Sequence, residues 1–445
     1  MVKVLRKILL KNAKYVICDK DHIIEDGAIA IEDDRIVDVG KTEEIEREHP
    51  SEVIIDATKK GIIPGLINTH THLGGSFLRG LADGLPLAEW FQKVILPSRK
   101  YVTSKTAYIF TMLGCIESIK SGITCINNND HFPDSVCQAI KESGIRGIYV
   151  PYIQEGVPEP DSPNPDKHIK NNEKTFIKWN GAENDRIKVW FGAHSTLKCS
   201  PDFYLKIHDL AEKYGVGIHT HLASSMGEIE TVKKKYGKRP IELLHDIGVL
   251  GPNFTGAHCI WPSDKEIKML KLTDTKIAHD PHSNMKLAVG YCRIPEMLAE
   301  GISVGLGTDG IAGDCQDLFQ VMRITSLIHK FERLDASVLS ARTVFDMATM
   351  GGAKVTFWEK QIGSLERGKK ADLVLIDLRK PYLIPLLKEN IISRLVHASS
   401  RSDVDTVIID GRIVMENREV KTIDERERFE EAQRQAEEIA GEIFG

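Results

Sequence analysis

"LINTHTHLGG", residues 66–75, follows the turn-like "GIIPG" of residues 61–65. An apolar run leads into His70 and His72, two positions apart. On a strand, residues two apart point to the same face. Two imidazoles side by side at the end of a hydrophobic strand are either metal ligands or ordinary polar residues at a strand edge. The remainder of the chain bears on that choice.

Downstream, strand-like and helix-like segments alternate. The candidate strands are "GIIPGLINTHTH", "GITCINNN", "GIRGIYVPYI", "IKVWFGAHS", "VGIHTHLA", "NFTGAHCI", "KIAHDPHS" and "ISVGLGTDG". Helical periodicity marks "TSKTAYIFTMLGCIESIKS", "SPDFYLKIHDLAEKYG" and "RIPEMLAEG" between them. Eight strands each followed by a helix predict an α/β protein with a (β/α)8 TIM barrel over residues 63–360. Short strands also open the chain, in "KILLKNAKYVICD", "GAIAIEDDRIVDVG" and "EVIIDATKKG". The same texture returns in "GSLERGKKADLVLIDL" and "VDTVIIDGRIVMENREV". Residues 1–62 and 361–445 are therefore expected to form one small β-sandwich from both ends of the chain. A C-terminal helix carrying i,i+4 charge pairs follows Thr422.

Bulk properties exclude several classes. The net charge of −5 is mild, and no block of Lys and Arg suggests a nucleic-acid face. No apolar run reaches the ~18–20 residues needed to span a bilayer. The start, "MVKVLRKILLKN", has no signal-peptide pattern. The eight cysteines are scattered with no C-x-x-C pair, as expected of reduced core thiols in a cytoplasmic protein.

In a barrel of this kind, chemistry gathers at the C-terminal ends of the strands. His70 and His72 end the first predicted strand, His194 the fourth, His219 and His221 the fifth, and His258 the sixth. His279, Asp280 and His282 lie at the end of the seventh, and Asp309 follows the eighth. Imidazole nitrogens with one carboxylate suit a divalent transition metal, with one position left open for water.

"GLINTHTHLGG", "HTHLASS", "GAHCIWPSDKEI", "HDPHSNMKLAVG" and "GLGTDGIAG" stand in the order of the motifs of the amidohydrolase superfamily. The chain most resembles its branch of methylthioadenosine/S-adenosylhomocysteine deaminases, guanine deaminases and triazine chlorohydrolases. The resemblance covers nearly the whole chain, including the closing phrase "GSLERGKKADLVLID". It implies one metal, expected to be zinc with iron or manganese as alternatives, held by His70, His72, His221 and Asp309. It implies attack by a metal-bound hydroxide, with Asp309 as proton acceptor and His258 touching the water. His194 would contact a small N-heterocyclic substrate. His219 and His279 would support or pack, and Ser283 and Asn284 would shape a loop. By resemblance alone a homo-oligomer, dimer or tetramer, is expected.

Two positions depart from the branch. Its deaminases carry Glu three residues after the strand-five histidine, as the acid that protonates a ring nitrogen. Here that position is Ser224, and a hydroxyl is too weak an acid to take its place. Glu228 and Asp280 are candidate substitutes, although Glu228 also reads as an exposed helix residue. Arg99, in "VILPSRKYVT", stands where adenosine-specific members place a Glu for the ribose hydroxyls. Arg cannot accept hydrogen bonds from a diol, but it suits a carboxylate or carbonyl. Ser224 and Arg99 are expected to line the substrate site. The two departures speak against a strict methylthioadenosine or S-adenosylhomocysteine deaminase. The leading expectation is an aminohydrolase of a small nitrogen heterocycle. The alternative releases chloride, an alkylamine or an amide amine from the same site. A binding protein on a retired barrel is disfavoured, because a decayed site has no reason to keep the ligand set.

Overall fold

The computed structural model describes residues 6–81, 83–155, 160–161 and 165–444. All eight predicted barrel strands form. They are Leu66–Thr71, Ile123–Asp130, Arg146–Pro151, a fourth in two pieces (Ile187–Val189 and Phe191–Ser195), Ile218–Leu222, Phe254–His258, Lys276–His279 and Val304–Leu306. Neighbours pair in parallel, in chain order. The break in the fourth strand is a change of partner. Trp190 N donates to Tyr149 O on the third strand, and Phe191 N donates to Gly217 O just ahead of the fifth. Strand eight returns to strand one where the amides of Thr308 and Asp309 both donate to His70 O, at 3.1 and 3.0 Å. Asn68 reinforces that seam, donating to Thr308 Oγ1 and accepting from Thr308 N. Gly307 is required there, since a Cβ would lie 2.1 Å from Asp280 Oδ1 and 3.1 Å from His70 Cβ.

Strands two, three and five are buried along their whole length, as parallel strands covered by helices must be. The expected helices lie between them with local signals in place. Thr103 and Thr106 form a capping box at the start of Ser104–Lys120. Ser200 caps Pro201–Tyr214, and Gly215 ends it in the left-handed conformation.

The two ends of the chain build one continuous nine-stranded sheet. Lys60–Pro64 joins the halves by pairing antiparallel with Leu373–Asp377. The first strand, Lys7–Ile17, slips register between Leu10 and Ala13, where Asn12 has φ of 63°. Its first half pairs with Val53–Asp56 and its second with Lys60–Pro64. Ile8, Ile29 and Ile36 from the N-terminal part share an apolar cluster with Leu373, Leu375 and Ile408 from the C-terminal part. All eight cysteines are free, and seven are buried. Among the described residues no helix is long and apolar enough to cross a membrane.

A buried ion cluster ties the barrel to this sheet. Arg146, which begins the third barrel strand, is fully buried. Its guanidinium donates to both oxygens of Asp372, at 2.7 and 2.9 Å, and to Asp410 at 3.3 Å. Lys370 bonds Asp410 in turn, and Trp358 covers the Arg146 guanidinium at 4.4 Å. Removing one member of a buried pair leaves an uncompensated charge, at a cost of about 3–5 kcal/mol. Arg146→Ala should therefore lower the free energy of urea unfolding by about that much. An unchanged midpoint and slope would show that the cluster does not hold the two parts together.

Candidate active site

The strand ends converge on a cavity of about 520 Å³, a size suited to a small organic ligand. His72, His194, His221, His258 and Asp309 line it. Apolar side chains, among them Phe77, Trp90, Phe91 and Leu197, form much of the wall. One nitrogen each from His70, His72 and His221, with a carboxylate oxygen of Asp309, all lie within 4.8 Å of one another, and all four residues are buried. His70 Nε2 and His72 Nε2 stand 3.4 and 3.5 Å from Asp309 Oδ1. Donors held about 2.0–2.1 Å from one tetrahedral ion would be separated by roughly this much.

Hydrogen bonds behind the rings fix their tautomers. His72 Nδ1 faces Asn129 O, and His221 Nδ1 faces His194 O at 2.8 Å. A carbonyl only accepts, so both Nδ1 atoms carry the proton. Both Nε2 atoms then present lone pairs, and they lie 3.1 Å apart. Two facing lone pairs at that distance repel unless a cation sits between them. His70 Nε2 is buried and has no hydrogen-bond partner, while its Nδ1 lies 2.8 Å from His219 Nε2. With the proton on Nδ1, His70 donates to His219 and turns a third lone pair to the same point. His219 Nδ1 faces the Asn127 side chain, whose amide can present its oxygen. Three nitrogens, each backed by such a partner, and one carboxylate fit a divalent transition metal.

Electrostatics agree. Burial pushes the His70 imidazole down to about 3, against the opposing pull of Asp309. Burial alone would raise the Asp309 carboxyl, but the imidazoles of His70, His258 and His72 close around it hold it below the usual carboxylate range. Asp309 and His258 both have left-handed backbones, with φ of 58° and 70°. Such strain costs about 1–3 kcal/mol per residue and persists only where the surroundings enforce it.

His258 Nδ1 lies 3.0 Å from Asn284 Oδ1, so Nδ1 donates and Nε2 is left free. Asn284 thus does more than shape its loop. Asp280 accepts from the His258 backbone N–H at 3.2 Å, behind the ring, and is not among the residues lining the cavity. His279 lies 3.4 Å from His329, on the helix Leu318–Arg333 that follows strand eight. His194, Ser224 and Arg99 all line the cavity, and His194 packs edge-on to Tyr152 at 4.7 Å. Glu228 is not an exposed helix residue. It is buried, lines the cavity, and accepts from Ser224 N and Oγ at 2.7 and 2.9 Å.

Sequence reasoning overlooked Asn127, Asn129 and Asp130 at the end of strand two. "NNND" is a run of four polar residues closing a strand that is buried throughout. That run was the available signal, because buried polar groups require partners.

Comparison with known proteins supplies relatives. Residues 62–414 match the Amidohydrolase family, and residues 27–51 match an imidazolonepropionase-like composite domain of bacteria. A 5'-deoxyadenosine deaminase of Methanosarcina mazei is 37% identical over 439 residues, covering 98% of this chain and 99% of that protein. A 5-methylthioadenosine/S-adenosylhomocysteine deaminase of Caldanaerobacter subterraneus subsp. tengcongensis is also 37% identical, with the same coverage. An adenosine deaminase from Xanthomonas campestris, crystallised with bound zinc, superposes with a TM-score of 0.94 at 27% identity, over 98% of this chain and 99% of that one. An atrazine chlorohydrolase of Arthrobacter aurescens complexed with zinc gives a TM-score of 0.89 at 23% identity, over 96% and 100%, and shares the fold.

Two predictions follow from the buried imidazoles. His70→Ala and Asp309→Ala should each lose bound metal, read by elemental analysis of the purified protein. Full occupancy in either variant would remove that residue from the ligand set. The second concerns pH. Burial lowers nine imidazoles, at His70, His194, His219, His221, His258, His279, His282, His329 and His397. Each contributes stability that is present above the unfolded value of ~6.5 and is lost as pH falls towards its folded value. Burial raises four carboxyls, Asp130, Glu228, Asp280 and Asp317, which act in the opposite sense. The imidazoles outnumber them, so metal-free protein should unfold at lower urea at pH 5 than at pH 7. A flat or inverted profile would contradict the neutral-imidazole assignment.

Proposed function

We propose that this chain, which belongs to the amidohydrolase family, removes the exocyclic amino group of a nitrogen heterocycle of the aminopurine kind and releases ammonia. It is a hydrolase of carbon–nitrogen bonds, a deaminase. The observation that carries the reading is the opposed lone pairs of His72 and His221, beside His70 and Asp309, in a cavity sized for such a ring. A divalent metal held by His70, His72, His221 and Asp309 would supply the Lewis acid that makes water nucleophilic at neutral pH. Zinc is favoured by the zinc in the Xanthomonas campestris deaminase, and the nitrogen and oxygen donors also accommodate iron or manganese.

The chain's own residues divide the remaining work. Asp309, held ionised by the imidazoles around it, accepts a proton from the attacking water and returns it to the departing amine. His258, with Nδ1 committed to Asn284, turns Nε2 towards that water and steadies the charge that develops at the attacked carbon. His194 and Ser224 contact the heterocycle, while the apolar wall of Phe77, Trp90 and Phe91 accepts its faces and excludes water. Arg99 contacts a polar substituent. It offers donors where a ribose diol would require an acceptor, which favours a substituent bearing carbonyl or carboxylate oxygen. Adenosine derivatives altered at the 5' position are nevertheless the first substrates to test, because relatives covering the whole chain carry those names. Assembly as a homo-oligomer belongs to the same reading by family resemblance. The eight free thiols support a reducing compartment such as the cytoplasm.

The test is ammonia release by purified, metal-analysed protein. The panel holds 5'-deoxyadenosine, methylthioadenosine, S-adenosylhomocysteine, adenosine, guanine and aminotriazines with and without a carboxylate. Ammonia is expected from at least one purine. Chloride or alkylamine released from substituted triazines, with no ammonia from any member, would replace the deaminase reading with the alternative leaving group.

A further inference from the structure

Hydrolytic deamination pushes electron density from the attacked carbon onto the neighbouring ring nitrogen, and that nitrogen must gain a proton as the carbon becomes tetrahedral. Neither Asp309 nor His258 is free to supply it, since both are engaged with the water and the departing amine. Ser224 has no acidic proton of its own at neutral pH. Glu228 stands directly behind it. Its Oε2 accepts from Ser224 Oγ at 2.9 Å and Ser224 N at 2.7 Å, and its Oε1 accepts from Thr196 Oγ1. The residue is 1% exposed and lines the same cavity as His221 and Asp309.

The sequence offers a plainer explanation of Glu228. Ser225-x-x-Glu228 has the spacing of a helix capping box, and Ser225 does cap the helix Met226–Tyr236 by accepting from Glu228 N. In a capping box the Glu carboxylate returns to the N-cap backbone N–H. Here it bonds instead to the residue before the cap, and this turns it along the cavity wall beside the Ser224 hydroxyl.

We infer that Glu228 and Ser224 together form the proton donor of this site, with Glu228 holding the proton and the Ser224 hydroxyl passing it to a ring nitrogen of the substrate. The inference rests on the deaminase reading and adds its missing acid. With substrate bound, the Ser224 hydroxyl turns its hydrogen from Glu228 Oε2 to the ring nitrogen and accepts from a protonated Glu228 Oε2 across the same 2.9 Å contact. Glu228 Oε2–H then gives its proton to Ser224 Oγ while the Ser224 O–H proton moves to the ring nitrogen. The Glu228 carboxylate left behind is held by Ser224 N–H and Thr196 O–H. Of the two protons of the water, one travels through Asp309 to the amine, which leaves as ammonia. The other leaves the tetrahedral hydroxyl as the carbonyl forms, and it returns to Glu228. The product keeps the new N–H, and atoms and charge balance. Ser224 touches the substrate, so Glu228 is a positioning residue that acts through it.

The surroundings suit this role. Burial raises the Glu228 carboxyl above its usual range, against the hydrogen bonds from Thr196 and Ser224. The titratable groups facing it from neighbouring elements are Tyr204, on Pro201–Tyr214, and Cys259, after strand six. Burial raises Tyr204, and the Cys292 thiol together with burial raises Cys259, so both are neutral. His194, Arg99 and Lys198 line the same cavity.

The experiment measures ammonia release, pH profile and metal content of the wild type, Glu228→Gln, Ser224→Ala and the double variant Ser224→Glu/Glu228→Gln, on the best substrate of the purine panel. General acid catalysis is worth roughly 10²–10⁴-fold. Glu228→Gln should lose about 10²-fold or more in kcat with little change in KM, keep its metal, and lose the alkaline limb of the wild-type pH profile. Ser224→Ala should fall by at least about tenfold, within the same range of effect. The double variant, with a carboxyl three residues after His221, should regain at least about tenfold over Glu228→Gln. A Glu228→Gln protein within about threefold of wild-type kcat would overturn the inference while leaving the deaminase intact. If Glu228→Gln fails to fold, an unimpaired Ser224→Ala would overturn it equally. A metal-loaded wild type releasing no ammonia from any member of the panel would overturn the deaminase reading, and this inference with it.

Discussion

The facing lone pairs of His72 and His221 are the constraint on which the rest of the site depends. Each ring is turned by a backbone carbonyl that can only accept, so neither imidazole can relieve the contact by moving its proton. Protonation at Nε2 is opposed by burial, which holds His221 well below the imidazole range. What remains is a cation, and His70 and Asp309 complete its surroundings. Repulsion in the bare site is thereby turned into affinity, and the chain's geometry selects a charge before it selects a substrate.

That geometry requires rigid support, and the barrel provides it unevenly. The ligands come from strands one and five and from the turn after strand eight. The double donation from Thr308 and Asp309 to His70 O makes the seam between the last strand and the first part of the site itself. Asp309 could not reach the histidines if that seam opened. Gly307 permits the close approach and Asn68 bonds across it. At the opposite end of the barrel, Arg146 with Asp372 and Asp410 clamps the terminal sheet beneath strand three. A buried charged cluster there contributes little net stability against a well-packed apolar alternative. It does impose one relative placement, because its charges have partners in no other arrangement.

What the sequence made legible follows the same division. "HTH", the second "HTH" and "GTDG" were readable because strand periodicity alone dictates which residues share a face, and all eight barrel strands were recovered on that basis. The polar groups that set tautomers were harder to see. Asn129 acts through its backbone carbonyl, which no side-chain pattern reveals, and Asn284 reaches His258 across 26 residues of sequence. In the sequence Glu228 reads as equally apt to be exposed, because it falls on the helix that follows strand five, Met226–Tyr236. Only the packing of its helix against Thr196 shows that the carboxyl faces inward. The continuity of the terminal sheet was hidden for a similar reason. The register slip near Asn12 lets a single strand serve two neighbours, and a slip of register leaves no mark on the alternation of residues.

Ser224 first looked like the loss of an acid, and on that ground the strict adenosine-type substrates seemed less suitable. Glu228 behind it removes half of that objection, since a carboxyl still borders the heterocycle's place. The other half, Arg99, is independent. It lies on a different element of the cavity wall, and in the proposed reading it bears on the substituent whereas Ser224 bears on the ring. The cation cage, the proton donor and the substituent contact thus occupy three separable parts of one cavity. A change at Arg99 can redirect specificity while the opposed imidazoles and the Glu228–Ser224 pair remain as they are. On that proposal, 37% identity over nearly the whole chain with deaminases of adenosine derivatives is compatible with a different polar contact at the far end of the substrate.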